Sequence, residues 1–373
     1  MRVGYIAPLS PTGYGSAALG YIRAIHEAGV DINLSLWTEY RQKGTYEGDD
    51  EQLIRELLSR SEEMRVCDTI IHHKQPDVAK PVEDKYNICY TVFEANVIPS
   101  LWVQILNSYF QEVWVPSEFN VTSFRNSGVR IPITKIPHIV KAEPLQSAAE
   151  PIALNPQDFE GKVLFLFIGT WDQRKNPDGL LTTYYETFSA QDNTLLVCRT
   201  HLGTHGAELP ADTIARIKKA VPKEQYPPVI ILGENLPQQD IIWLHQQARV
   251  FTSLAYSEGW GLGHSQSLAA GVPVLSNNWG GSLEYQNEEN SFLVDTIKIG
   301  PVTSSNRNTI YNPFLMSWGY PDLKHASKLL RRALEEPALC QEKGRAGQKD
   351  MKQYNSTTIG ELIQGRLRDI PKT

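Results

Sequence analysis

The sequence predicts an α/β protein made of two Rossmann-like parallel-sheet domains. Three observations lead there. The chain has 373 residues, more than a single hydrophobic core usually serves. Short apolar runs alternate with longer stretches of helical period, the pattern of strands joined by crossover helices. Residues 141–160, KAEPLQSAAEPIALNPQDFE, lack any period and read as a linker between two alternating halves. The expected domains are therefore 1–150 and 151–355, followed by a terminal helix.

Each element has its own signal. RVGYIAP is a buried strand, and SPTGYGSAALGYIRAIHEAG is a Gly-rich turn opening a helix that stops at Gly29. VDINLSLW, CDTIIHH, YNICYTVF and EVWVPS are further strands, and Ser117 is a natural N-cap for EFNVTSFRNSG. KIPHIV closes the half, and Trp102 and Tyr109 share helical spacing, as core residues do. The second half runs KVLFLFIG (strand), NPDGLLTTYYETFSA (helix), NTLLVCRT (strand), PADTIARIKKAV (helix) and PVIILG (strand). PQQDIIWLHQQA (helix), VFTSLA (strand), a helix after Gly261, VPVL and SFLV (strands) follow. HASKLLRRALEEPALCQEKGRAGQKDMKQY reads as helical, and so does TIGELIQGRLRDI at the end.

Composition removes several functions. Hydrophobic residues make up 41% of the chain and the net charge is −6, so this is an ordinary globular protein without the basic surface of a nucleic-acid binder. The 4 cysteines are scattered, with no C-x-x-C pair, which argues against structural zinc and a disulfide framework. No apolar run reaches the length of a signal peptide or membrane span. A cytoplasmic location is expected, with peripheral contact at a membrane left open; Arg125 to Lys135 is a basic stretch, read as a solvated face. The oligomeric state is not encoded legibly.

In parallel sheets of this kind ligands gather at the carboxyl ends of the strands, and two such sheets facing one another would make a cleft. The unusual residues fall at those ends. In SEGWGLGHSQSLAAGVPVL, residues 257–275, a strand is expected to end near Glu258, and Gly259, Trp260, Gly261 and Leu262 lead into a helix. Free N–H groups at that helix start suit anionic oxygens. Glu258 is placed to accept from hydroxyls beside the anion, and Gln266 lies one turn along the same face. Gly271 should end the helix in the left-handed conformation, with Pro273 preventing its continuation. In IGTWDQRKNPDGLL, residues 168–181, Arg174 and Lys175 are adjacent cations at a strand end. They suit a leaving diphosphate. In SPTGYGSAALG, Gly13 and Gly15 open a helix, but the next glycine is Gly20, which is not the G-x-G-x-x-G of a dinucleotide site. Glu39 ends the second strand. His72, next to His73, and Glu94 follow strands of the first half and are expected to serve an acceptor; one histidine of the pair should point away, because strand residues alternate. His138 reads as structural, and His264 as either ligand-facing or a helix-surface residue.

Together these stretches resemble the family 4 glycosyltransferases of the GT-B fold. The family's E-x7-E signature, followed by small and apolar residues and G-x-P-V, maps onto Glu258 through Val274. FIGTWDQRKNP resembles its donor-phosphate loop with Lys175 at the lysine position, and EVWVPSEFNVTSFRNSGV, TVFEANVIPSLWVQILN and WGYPDLKHASKLL are similar to other family stretches. The resemblance implies retaining transfer of a sugar, most readily glucose from UDP-glucose, to a glycan or lipid-linked acceptor in polysaccharide biosynthesis. It implies no metal and no cofactor beyond the nucleotide-sugar substrate, in keeping with the lack of any D-x-D in the sequence. It further implies a last helix, 356–373, that crosses back to the first domain. Glu258, Lys175 and Arg174 would be catalytic, with Gly13, Gly15, Thr170, Asn235, Leu236, Gly259, Trp260, Gly261, Leu262 and Gln266 on the donor and His72 and Glu94 on the acceptor. Two positions depart from the pattern: Gln266 replaces the second acid, and Thr170 replaces a basic residue. A non-catalytic nucleotide-sugar or glycan-binding protein and a sugar-nucleotide epimerase of the same fold are the alternatives.

Overall fold

The computed structural model describes residues 2–10, 12–37, 48–142, 150–202, 208–233, 236–303 and 310–371. Contacts divide the chain into two units, Met1–Val140 with Gln353–Thr373, and Lys141–Lys352.

The first unit begins with β1 (Arg2–Ala7), α1 (Gly13–Glu27), β2 (Asp31–Leu36), α2 (Gly48–Ser59), β3 (Thr69–His73) and β4 (Tyr86–Tyr90). It continues with α3 (Ser100–Tyr109), β5 (Glu112–Val115), α4 (Glu118–Asn126) and β6 (Ile133–Lys135). The six strands are all parallel, in the order β2-β1-β3-β4-β5-β6. Covering helices bury both faces of such a sheet, and β3 is accordingly buried at every residue, including His72 and His73. Thr12 caps α1, its Oγ1 accepting from the Gly15 N–H at 3.3 Å. Ser117 caps α4 in the same way, accepting from the Asn120 N–H at 3.3 Å.

The second unit comprises β7 (Val163–Trp171), α5 (Pro177–Thr187), β8 (Thr194–Leu202), α6 (Pro210–Ala220), β9 (Val229–Leu232), α7 (Gln238–Gln247) and β10 (Ala248–Ser253). After these come α8 (Leu262–Ala269), β11 (Val274–Asn277), β12 (Ser291–Val294), β13 (Thr296–Pro301), β14 (Ser317–Pro321), α9 (Leu323–Glu335) and α10 (Pro337–Asp350). Its parallel sheet has the order β12-β11-β10-β7-β8-β9. The buried carboxylate of Asp240, in the first turn of α7, accepts from the N–H groups of Ile152, Ala153 and Leu154 at 3.1, 3.0 and 2.8 Å. It anchors the aperiodic stretch to this unit by charge-assisted bonds.

The last helix, α11 (Ser356–Arg368), returns to the first unit and packs on α1. Ile359, Ile363 and Leu367 join Val3, Tyr5, Ile22 and Ile25 in one buried cluster. Gly360 permits the approach, since a Cβ there would lie 2.5 Å from the Ala24 carbonyl oxygen. Arg366 donates to both carboxylate oxygens of the buried Glu112, at 2.9 and 2.7 Å. Trp114 Nε1 adds a bond to Glu112 at 2.8 Å.

Several expectations are corrected. Of the stretch KIPHIV only Lys135 joins the sheet, through the pairing of Ile133–Lys135 with β5, and Pro137 removes a ladder donor beyond it. Tyr109 is 61% exposed rather than core, while Trp102 is buried. The long helical stretch breaks at Pro337, which opens α10 because its ring cannot continue α9. The helix α2 and the antiparallel pair β13–β14 were not foreseen; Ile297 and Ile299 are exposed, so the apolar residues of β13 mark no buried face. Among the described residues no helix is long and apolar enough to cross a membrane.

Candidate functional site

Glu258 is the centre of the site in the second unit. It is only 7% exposed, and its carboxylate receives Lys175 Nζ on one oxygen and Arg174 Nη1 at 3.1 Å on the other. Burial alone would raise its pKa. The two cations outweigh burial and hold the carboxyl down at about 2. The strand expected to reach Glu258 ends instead at Ser253, so the acid stands on a loop five residues further on. Hydrogen bonds zip that loop to the one carrying the cations. Asn176 Nδ2 donates to Leu254 O at 3.0 Å, Tyr256 N to Arg174 O at 2.8 Å, and Arg174 Nη1 to Ser257 O at 2.8 Å.

Local sequence explains how the cations reach the acid. Gln173–Lys175 forms a single 3-10 turn capped by Asp172, whose Oδ1 accepts from Lys175 N at 3.0 Å. Asn176 then takes φ +54°, a left-handed conformation that asparagine tolerates, and its Oδ1 caps α5 at Gly179 N, 3.0 Å away. The chain therefore turns sharply between Lys175 and Pro177. The cations do not sit on the helix start, where the macrodipole would disfavour them.

The amino end of α8 lies against the same strand end. Gly261 has φ +88°, and no side chain caps the helix. A Cβ on Gly263 would lie 2.8 Å from the Phe251 ring and 3.4 Å from the Ile168 carbonyl oxygen, so α8 presses on β7 and β10 as only glycine allows. A Cβ on Gly169 would lie 3.6 Å from Lys175 Cε, so Lys175 crosses directly over the end of β7. Two cations and a helix end with unpaired N–H groups thus meet at the carboxyl edge of the sheet, an arrangement suited to anionic oxygens.

The remaining expected donor residues separate into two groups. Leu262 begins α8, Gln266 is half-buried one turn on, and Thr170 is half-buried with Oγ1 3.1 Å from His201 Nε2. Leu236 lies half-buried between β9 and α7, while Asn235 falls outside the described residues, as does Glu39. Trp260 points inward: its ring packs on Tyr285 with centroids 4.8 Å apart, and Nε1 donates to Ser265 Oγ at 3.2 Å. Only its backbone, like that of buried Gly259, lines the loop. His264 is buried too, Nδ1 bonded to Gln286 Nε2 at 3.1 Å, and burial lowers its pKa to about 4.

In the first unit, Gly13 is the exposed first residue of α1, and Gly15 is spent on packing: a Cβ there would lie 1.9 Å from Ser10 O. His72 was expected at the acceptor and is instead fully buried. Its Nε2 bonds to Asn87 Oδ1 at 2.9 Å, its ring meets Phe110 edge-on, and burial lowers its pKa to about 4. Alternation sends His73 to the other face, where it joins Tyr5 at 2.8 Å and packs beside Tyr14, Tyr21 and Tyr90. His138 belongs to that network as a structural group, 2.9 Å from Tyr21 Oη. Glu94 is half-buried near Tyr14, whose hydroxyl bonds Thr91 Oγ1 at 2.9 Å.

Sequence reading missed Gly280 and Gly281. Gly280 has φ +108°, a Cβ on it would lie 2.9 Å from Glu258 O, and Gly281 N donates to Glu258 O at 2.6 Å. Tyr285 was missed as well; its hydroxyl donates to Trp260 O and Gly261 O, both at 2.7 Å, and fixes the loop into α8. The paired glycines of NNWGGS, just past a buried strand, were the available signal.

Comparisons with known proteins bear on the fold. A model of the family described as glycosyl transferases group 1 matches residues 153–298. No curated protein sequence matches the chain. Among solved structures, Anabaena HepE in complex with UDP-glucose is similar at 12% identity and TM-score 0.73, over 99% of this chain and 100% of that one. The E. coli trehalose-6-phosphate structure bound with UDP-2-fluoro glucose is similar at 11% identity and TM-score 0.67, over 100% of both chains. The Burkholderia xenovorans α,α-trehalose-phosphate synthase (UDP-forming) in complex with glucose-6-phosphate is similar at 12% identity and TM-score 0.65, over 98% of this chain and 99% of that one. The fold is that of the GT-B glycosyltransferases.

Proposed function

We propose that the chain is a retaining glycosyltransferase that moves a hexose from a nucleoside diphosphate sugar to the hydroxyl of a glycan or lipid-linked acceptor. The observation that carries this reading is the convergence of Lys175 and Arg174 on buried Glu258 beside the open end of α8. UDP-glucose is the favoured donor; the group 1 family match and the UDP-glucose held by HepE support it.

The parts act as follows. The diphosphate rests on the N–H groups of Leu262 and Gly263 and takes Lys175 and Arg174 as counter-charges. The bond from the anomeric carbon to the phosphate oxygen breaks, and the acceptor oxygen bonds to that carbon on the same face. The acceptor's proton passes to the departing phosphate. Lys175 and Arg174 stabilise the charge that develops on the leaving group, the usual largest electrostatic contribution. Glu258, kept ionised, accepts from hydroxyls of the transferred sugar, and the Gln266 amide holds ribose hydroxyls, a role open to an amide as well as an acid. No residue is assigned as a covalent nucleophile, and the sequence offers no D-x-D for a metal.

A thermal-shift panel of UDP, GDP, ADP and TDP with their sugars tests donor choice, because ligand binding raises apparent stability. UDP and UDP-glucose should give the largest shifts. Transfer assays that yield the same anomeric configuration as the donor complete the case, and an inverted product would overturn the retaining assignment. Gln266 and Thr170 favour one second reading, a nucleotide-sugar-binding protein without transfer. It gains if UDP-glucose binds yet no UDP is released with any acceptor.

A further inference from the structure

Outside the site just described, the first unit holds a buried lysine with no carboxylate against it among the described residues. Lys74 follows β3 directly and is only 6% exposed. Its backbone is fixed, the N–H bonded to His72 O and Tyr90 O, both at 3.1 Å, while Cys89 Sγ donates to its carbonyl at 3.5 Å. Its Nζ lies 4.8 Å from the ring centroid of Trp37 and forms no ion pair among the described residues. Its neighbouring charge has the same sign: Lys80 lowers the pKa of Lys74 further, after burial. A ring face compensates an ammonium only in part, and a partly desolvated ammonium gains from an anion beside it. Trp37 follows β2 directly and stays 40% exposed. Because the strand order is β2-β1-β3, the pair spans the carboxyl end of β1, the edge at which parallel sheets take ligands.

We propose that Trp37 and Lys74, with Lys80 at the rim, form a binding subsite for a sugar that carries an anionic group, a phosphate or a carboxylate. The pyranose ring lies on the open part of the indole, its C–H bonds toward the negative π face, and the anion takes the ammonium of Lys74. That the bound sugar is the acceptor rests on the glycosyl-transfer reading; that an anionic sugar binds here does not.

Isothermal titration of the full chain with glucose 6-phosphate, glucuronate, glucose and inorganic phosphate tests it. At least one anionic sugar should bind tenfold or more tightly than glucose, and the tighter of the two identifies the anion as phosphate or carboxylate. Lys74→Met should bring that preference near unity, and Lys74→Arg should keep most of it. Trp37→Ala should weaken the preferred anionic sugar several-fold and inorganic phosphate little. Equal binding of glucose and both anionic sugars, or a preference that survives Lys74→Met, overturns the inference. UDP titration of the same variants separates the two readings. UDP binding without any anionic preference sinks only this subsite, whereas an anionic preference in a protein that binds no nucleotide sinks only glycosyl transfer.

Discussion

Glu258 pairs with both Lys175 and Arg174, and in the proposed reaction it would release them to the diphosphate of the donor. Its depressed folded pKa gives a sign-specific expectation. The stabilisation is fully present above the ordinary carboxyl value of 4.5 and is lost as pH falls toward about 2. Urea unfolding at pH 6 and pH 3 should show wild type losing more stability than Glu258→Gln. The neutral variant should already be less stable at pH 6, by on the order of 3 kcal/mol, since Lys175 and Arg174 then face an amide in place of a carboxylate. Equal pH slopes would remove Glu258 from this role. For catalysis, Lys175→Met should lower kcat by a factor of about a hundred or more with UDP binding weakened less, as expected for a group that acts mainly on developing charge.

At the scale of elements, close approach governs the carboxyl edge of the second sheet, the proposed donor site. A Gly263→Ala change puts a methyl group 2.8 Å from the Phe251 ring, so α8 must lift from β7 and β10. Overpacking of this kind costs about 1–3 kcal/mol, and the displaced helix end should weaken UDP at least several-fold by calorimetry. Unchanged UDP affinity would mean that the helix end does not hold the diphosphate. The same scale shows what the sequence made legible. The turn from Ala270 into β11 could be read because Gly271, with φ +81°, and Pro273 each have one structural meaning there. Arg174, Lys175 and Glu258 were legible as residue types at strand ends, but their direct pairing was not, because it depends on Asn176 adopting φ +54°. His72 was misread since alternation fixes that two neighbours diverge, not which faces the ligand. The Lys74–Trp37 contact joins residues of two different strand ends, and nothing local in either stretch announces it.

For the molecule as a whole, the second unit is one continuous run of chain, whereas the first is completed by α11. The bond from Arg366 to buried Glu112 ties that helix to the sheet. Removing one partner leaves the other charge desolvated, so Arg366→Ala should cost about 3 kcal/mol in urea unfolding. Replacing both, as in Arg366→Met with Glu112→Gln, should recover part of that loss. A single variant as stable as wild type would show that the pair is not the tie.

That return of α11 also sets an order in time. A ribosome delivers residues 141–352 in full before it makes Ile359, Ile363 and Leu367, which the core around α1 requires. Domains usually fold as they emerge, amino-terminal first. Here the first-made unit must wait, its apolar α1 face uncovered, while the later one closes. The nascent protein therefore keeps the apolar face of α1 uncovered until the thirteen residues of α11 arrive.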